Sequence, residues 1–160
     1  MKKKIDPLPL REFLKTKNDA NDFIYLLEKL SADLFKKNGK SFDKLLSQDL
    51  SYEVGKTLKS VAEGTGESMR NKQHVELFFS HLKDITSSLP VIHVIVAVEP
   101  TEKVVSLIHN WIYNNFKKLM LLDITYDPEL IGGCVVSFNG KANDYSLKSQ
   151  MSMMRNQDVL

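Results

Sequence analysis

Apolar residues in the first half of the chain recur three and four positions apart. Between Asp22 and Lys37 they are Phe23, Leu26, Leu27, Leu30, Leu34 and Phe35, which fall on one face of a helix. Asn38-Gly39 is the stop, with Gly39 where left-handed backbone ends a helix. Upstream, residues 1–8 read as a frayed tail. Leu10, Phe13 and Leu14 predict a short helix after Pro9, and Asn18 or Asp19 stands in position to cap the helix that follows. Ser41 opens a short helix over residues 42–46. Ser51 opens another, with Val54, Leu58 and Val61 facing inward. Residues 71–89 repeat the spacing with Val75, Phe78, Phe79, Leu82 and Ile85, and Ser87-Ser88-Leu89-Pro90 ends them. The intervening EGTGESMR, residues 63–70, is polar with two glycines and predicts a linker or domain boundary.

After Pro90 the period changes. Residues 91–98 (VIHVIVAV) are apolar on both faces apart from His93, the mark of a central strand covered on both sides or a short strand in a dry core. Thr101 caps a helix running to about Lys118. Val104, Val105, Leu107, Ile108, Trp111, Ile112 and Phe116 give it an apolar face wide enough to cover a small sheet. Lys117 and Lys118 sit where a helix C-terminus favours cations. Next, Leu122, Ile124 and Tyr126 alternate with Asp123 and Thr125 in the period of a half-buried strand. Asp127-Pro128 ends it, and Gly132-Gly133 supplies backbone freedom. Cys134, Val136 and Phe138 alternate with Val135 and Ser137. Asn139-Gly140 is a two-residue hairpin signal, because both positions of a type I′ turn take positive φ. A short strand follows, and Asp144 or Ser146 can accept backbone N–H groups at the start of a final helix. If the first two strands are parallel neighbours, their helical connection is right-handed. The predicted fold is α+β. A small all-helical N-terminal domain, a reduced bundle, spans 1–66. A linker and connecting helix span 67–90, and a strand–helix–strand–strand–helix module spans 91–160.

Composition narrows the function classes. A chain of 160 residues makes one ordinary domain or two small ones. Net charge is +2, and residues 1–89 carry 16 basic and 13 acidic side chains against 6 and 7 in the remainder. That balance offers no electrostatic case for a nucleic-acid backbone. The single cysteine, Cys134, cannot form an internal disulfide, which fits a reducing compartment; a buried, inert thiol is expected. No apolar run approaches the roughly 20 residues of a membrane helix. Met1-Lys2-Lys3-Lys4 begins like a signal peptide, but Asp6, Pro7, Arg11 and Glu12 interrupt any apolar core. The expectation is a soluble chain that reaches a membrane only through a partner.

No catalytic, metal or cofactor constellation emerges, so the chain is not expected to be an enzyme. Gly64-Thr65-Gly66 lacks a preceding strand and a following Lys-Ser/Thr, so it is no phosphate loop. His74 and His81 share a helix face but lie two turns apart, about 10.5 Å by helix rise. His93 is expected in the core or an interface, and His109 on a polar face. Asp127 and Asp144 suit a turn and a cap better than an acid/base pair with Glu129. Cys134 has no activating base in sequence, Ser146, Ser149 and Ser152 lack a nucleophile-elbow context, and Met151, Met153 and Met154 suit packing or partner contact.

One ordered set is more specific. Asp127-Pro128-x-Leu130-Ile131-Gly132-Gly133, a strand, a turn, a strand, then Asp144-x-Ser146 and a basic helix resembles the C-terminal signature of the delta subunit of F-type ATP synthase, whose mitochondrial counterpart is the oligomycin-sensitivity-conferring protein. The likeness extends upstream to the apolar strand ending in Glu99-Pro100-Thr101, and covers about residues 70–155. The first half departs from it: no Arg-Tyr-Ala-x-Ala-Leu-type opening helix occurs, and the helical part before the linker is shorter than the family's.

The resemblance implies a non-catalytic stator subunit of the peripheral stalk, without cofactor or metal. It would join the N-terminal helices of the alpha subunits in the catalytic head to the b-subunit stalk, and resist rotor torque during proton-driven ATP synthesis. It would sit peripherally on the cytoplasmic face of a bacterial plasma membrane as part of the complex, with no nucleic-acid partner and no membrane insertion of its own. Asp127, Pro128, Leu130, Ile131, Gly132, Gly133, Asp144 and Ser146 would be structural. Phe23, Leu27, Leu30 and Leu34 are candidates for a partner groove, or simply core. Leu147, Met151 and Met154 are spaced to dock on the module or on a stalk helix. The competing class is a ferredoxin-like RNA-binding or adaptor domain, disfavoured by charge and by the lack of aromatic-basic interleaving on the strands.

Overall fold

Four α-helices precede the first strand: α1 Lys17–Phe35, α2 Phe42–Gln48, α3 Tyr52–Thr65 and α4 Lys72–Ser87. The computed structural model describes residues 5–36 and 39–157; the expected stop at Asn38 and the first four residues of the expected tail lie outside them. A 3-10 helix, Leu8–Glu12, stands where a short helix was expected. Helix α1 starts at Lys17, so Asn18 and Asp19 lie inside its first turn and do not cap it. Asp19 there still complements the positive end of the helix dipole. Phe23, Leu27, Leu30 and Leu34 form its buried stripe, whereas Phe35 is exposed.

Ser41 and Ser51 occupy the N-cap positions of α2 and α3 in extended conformation, without side-chain capping bonds. Gly55 lets α3 approach α2, since a Cβ there would stand 2.8 Å from the Leu46 carbonyl oxygen. Helix α3 continues through Glu63–Thr65, the first residues of the expected linker. It ends at Gly66, whose φ of 70° is the left-handed terminator. Asn71 caps α4, its side chain accepting the Gln73 amide at 2.9 Å. Phe78 and Phe79 on α4 meet Phe42 on α2, with ring centroids 6.0 and 6.1 Å from it. Helix α4 therefore shares a core with the helices before it. By contacts the chain divides into a helical unit, comprising the chain to Leu14 and Asn18–Leu89, and a sheet unit, comprising Lys15–Lys17 and the chain from Pro90.

The sheet unit runs β1 Val91–Val96, α5 Glu102–Phe116, β2 Leu121–Tyr126, a 3-10 turn Pro128–Leu130, β3 Cys134–Phe138, β4 Lys141–Asp144 and α6 Leu147–Gln157. Its strand order is β2-β1-β3-β4. β1 and β2 are parallel, Ile92 beside Leu122 and Val94 beside Ile124, while β3 is antiparallel to β1 and to β4. Asn139 (φ 49°) and Gly140 (φ 75°) make the β3–β4 turn in the left-handed backbone that the dipeptide predicts. The core is Ile92, Val94, Val96, Ile112, Met120 and Leu122, with Val105, Ile108, Ile124 and Val136 packed against it. Helix α5 thus covers one face of the sheet.

Two expectations change here. β1 is central, but it is buried on one face only: His93, on the other, is 62% exposed and pairs with Asp123 of β2 at 3.1 Å, so it is not a core histidine. The module also departs from a ferredoxin-like domain. There a strand separates the two parallel strands of each βαβ unit, whereas β1 and β2 are direct neighbours.

Candidate partner interface

The apolar face of α5 is wider than the sheet it covers. Ile112 is buried and Val105 and Ile108 are half-buried, but Leu107 (61% exposed), Trp111 (53%) and Phe116 project outward. Leu107, Ile108, Trp111 and Ile112 form one wall of an open groove of about 590 Å³. Val94, Cys134 and Val136 of the sheet line it too, together with Tyr145 from the β4–α6 junction. Nearly all of its lining is apolar. Exposed aromatic and aliphatic side chains around a concave apolar floor are what a partner's side chains fill. The sequence reveals the α5 wall. It does not reveal Tyr145, whose only signal is an aromatic placed between two capping residues.

The turn that the signature marks builds the junction beside this groove. Asp127 accepts the Glu129 amide at 2.9 Å, and Pro128 starts the 3-10 turn. Ile131 follows with φ 65°, a strained conformation for a β-branched residue, and stays largely exposed. Gly133 has φ 78°, and a Cβ on it would stand 2.2 Å from the Tyr145 carbonyl oxygen. A Cβ on Gly132 would meet Leu147 Cδ1 at 2.6 Å. Gly133 is thus needed for the backbone to pass the start of α6, whereas at Gly132 the leucine tip can shift aside. Asp144 accepts the Ser146 amide at 2.8 Å, and Ser146 Oγ accepts the Ser149 amide at 3.2 Å, so both residues serve the helix start. The hydrogen bonds from Ser146 hold the Asp144 carboxyl below the usual carboxylate range.

Helix α6 leaves its stripe open. Leu147 reaches back to Gly132, whereas Met151 and Met154 are more than half exposed. Lys148 approaches Glu129 at 3.7 Å. By contrast Phe23, Leu27, Leu30 and Leu34 are buried in the helical unit, so of the two readings of this stripe, partner groove or core, they have the burial of core residues. The helical unit has instead an open groove of about 590 Å³ between α2 and α3. Leu46, Leu50, Tyr52 and Gly55 line it, with Asp43 and Lys59 paired across 3.2 Å at its rim.

Apart from the His93–Asp123 pair, the chemistry-bearing residues singled out above do not cluster among the described residues. His109, expected on a polar face, is buried; it stands four residues after Val105 and three before Ile112, on the side of α5 that meets the sheet. Cys134 is half-buried, not fully buried. Burial, and then the Asp144 charge, push its thiol above the ordinary value of 9.0, so it is protonated and unreactive at neutral pH. Among the described residues no group of three or more His, Cys, Asp and Glu could hold a metal ion, and no helix is long and apolar enough to cross a membrane.

The family model described as ATP synthase delta (OSCP) subunit matches residues 10–157, a span that takes in both units. No curated protein matches the chain.

Proposed function

The chain belongs to the ATP synthase delta (OSCP) subunit family, whose members are peripheral-stalk subunits of ATP synthase, and we propose that it is the non-catalytic connector between catalytic head and stalk. On this proposal the sheet unit holds an amphipathic helix of the b-subunit stalk in the groove of Leu107, Trp111 and Tyr145, flanked by the Met151 and Met154 stripe. The helical unit takes an N-terminal helix of the alpha subunit in the groove between α2 and α3. Such contacts suit a stator. A rotor turning inside the head exerts torque on it, and the connector resists by burying apolar side chains in preformed grooves, with no bond made or broken. The complex would place the chain at the cytoplasmic face of a bacterial plasma membrane, held there by its partners.

The observation that carries this proposal is the open apolar surface of the sheet unit, on a chain whose family works by assembly. Co-purification of the tagged chain with alpha and b subunits tests it. Stoichiometric recovery of both is expected, with b lost on Trp111→Ala and alpha retained. Recovery of neither subunit from intact complexes would sink the proposal.

A further inference from the structure

Lys15–Lys17 belong by their contacts to the sheet unit, although the chain on either side of them belongs to the helical unit. The Lys15 carbonyl accepts the Leu122 amide at 2.9 Å, and Thr16 forms a parallel bridge with Leu122. Lys15 Nζ donates to Ser106 Oγ on α5 at 3.1 Å. The tripeptide therefore lies along the outer edge of β2, the end strand of the sheet, and also ties to the covering helix. Its last residue, Lys17, is the first residue of α1.

The edge is occupied over a short stretch. The amides of Leu121 and Asp127 point toward β1 and donate to Pro90 and Val96. By alternation those of Leu122, Ile124 and Tyr126 point outward. Leu122 is where the tripeptide sits, and Ile124 and Tyr126 lie beyond it. Three residues on a strand edge are too short a segment to hold a place in a sheet by themselves, because ordering them costs conformational entropy of the same order as a few edge bonds return, so their ends have to be fixed from outside. Those ends are the 3-10 helix Leu8–Glu12 and α1.

We propose that Lys15–Thr16–Lys17 is a strap through which the β2 edge of the sheet unit depends on a folded α1. The two units are then coupled at two places along the chain, here and at Leu89-Pro90. When α1 opens, the strap goes with it and the β2 edge is bared.

Residue-resolved hydrogen exchange on the full chain tests this. In the unaltered protein Leu122 should exchange slowly and Tyr126, on the same edge, quickly. K15G/T16G keeps the carbonyl that accepts the Leu122 amide but removes the Lys15–Ser106 bond and frees the backbone, so it should accelerate Leu122 by about tenfold and leave Asp123, which faces β1, unchanged. Leu27→Ala, at a buried position of α1 in the helical unit, should accelerate Leu122 together with the α1 amides. It should add nothing to Leu122 in the K15G/T16G background. If Leu27→Ala fails to fold, Leu27→Val gives the same comparison at smaller amplitude. Leu122 exchanging as fast as Tyr126 in the unaltered chain would overturn the proposal, as would a Leu122 rate that ignores α1 destabilisation.

Discussion

Helices α1 and α5 carry apolar residues at the same three-and-four spacing, and their stripes meet opposite fates. On α1, Phe23, Leu27, Leu30 and Leu34 are all buried. On α5, Ile112 is buried while Leu107, Trp111 and Phe116 stand out from the surface. The difference lies in what each helix has to pack on. The helical unit has four α-helices whose stripes can close on one another. The sheet unit sets one broad helix on one sheet face, and α6 keeps to the signature turn and leaves the outer side of α5 uncovered. Spacing tells which residues share a face; it does not tell whether the chain itself will cover that face. The α1 stripe is covered by the chain itself, and much of the α5 stripe is not.

The harshest way to break this contrast is at the signature turn. Gly133→Val places a β-branched side chain at φ 78° and against the Tyr145 carbonyl, so the β4–α6 junction cannot close. Several kcal/mol should be lost, roughly 4 or more as backbone strain and steric overlap add. The sheet unit should melt first in calorimetry, and binding to the stalk subunit should go with it. A melting profile and stalk binding like those of the unaltered protein would show that the turn is not constrained in this way. Next in size is Leu27→Ala, which opens a cavity under the buried α1 stripe and should cost about 2–5 kcal/mol. It acts on stability, and at a temperature where the full chain stays folded its sheet-unit groove should keep its affinity for a stalk peptide.

Much of the architecture was legible from residue order. Every strand and helix of the sheet unit follows a local signal: alternation in β2 and β3, Asn139-Gly140 at the turn, Asp144 and Ser146 at the helix start. What could not be read were the consequences of tertiary packing. The extent of α3 through Glu63–Thr65 was hidden because Gly64 reads as a breaker, yet its position in the helix is open to solvent and meets no neighbour. The exposure of His93 follows from which sheet face the helix covers, and the burial of His109 from how α5 is rotated on that sheet. Neither is written in local spacing. Phe23, Leu27, Leu30 and Leu34 were legible as a stripe, but their closure into a core depends on helices distant in sequence. The same limit hid the groove, because its walls come from β1, α5, β3 and the β4–α6 junction.

Trp111→Ala sharpens the contrast from the other side. The ring is already more than half exposed, so its removal should change folding stability by less than about 1 kcal/mol. If the stalk helix seats in the groove, the same change should weaken binding by about 2 kcal/mol, roughly thirtyfold, as an aromatic anchor does. Calorimetric melting and titration of the two proteins separate these effects. Equal affinity with and without the indole would move the interface elsewhere on the sheet unit. Met151→Ala should do less, since a flexible thioether exposed on α6 adapts and contributes modestly.

The smallest effect reports on the groove itself. Cys134 lines it, and its thiol is held above 9.0 first by burial and then by the nearby Asp144 carboxylate. A thiol with a raised value stays neutral in the folded chain, so alkylation by iodoacetamide should be slow at pH 7 and rise only in strongly alkaline solution. Asp144→Asn removes the charge contribution and leaves the burial, so the rate should rise modestly at a fixed alkaline pH. The carboxylate has its own acid limb. Its value is depressed by the Ser146 hydrogen bonds, so its contribution to the helix start is present above the ordinary 3.8 and is lost as the pH falls through the lower folded value. Both experiments gain meaning with the stalk partner added. A helix seated between Trp111 and Tyr145 shields Cys134 and should suppress its alkylation at every pH. If the thiol reacts equally fast in the complex, the groove is unoccupied there, and the open face of α5 has some other purpose than holding the stalk.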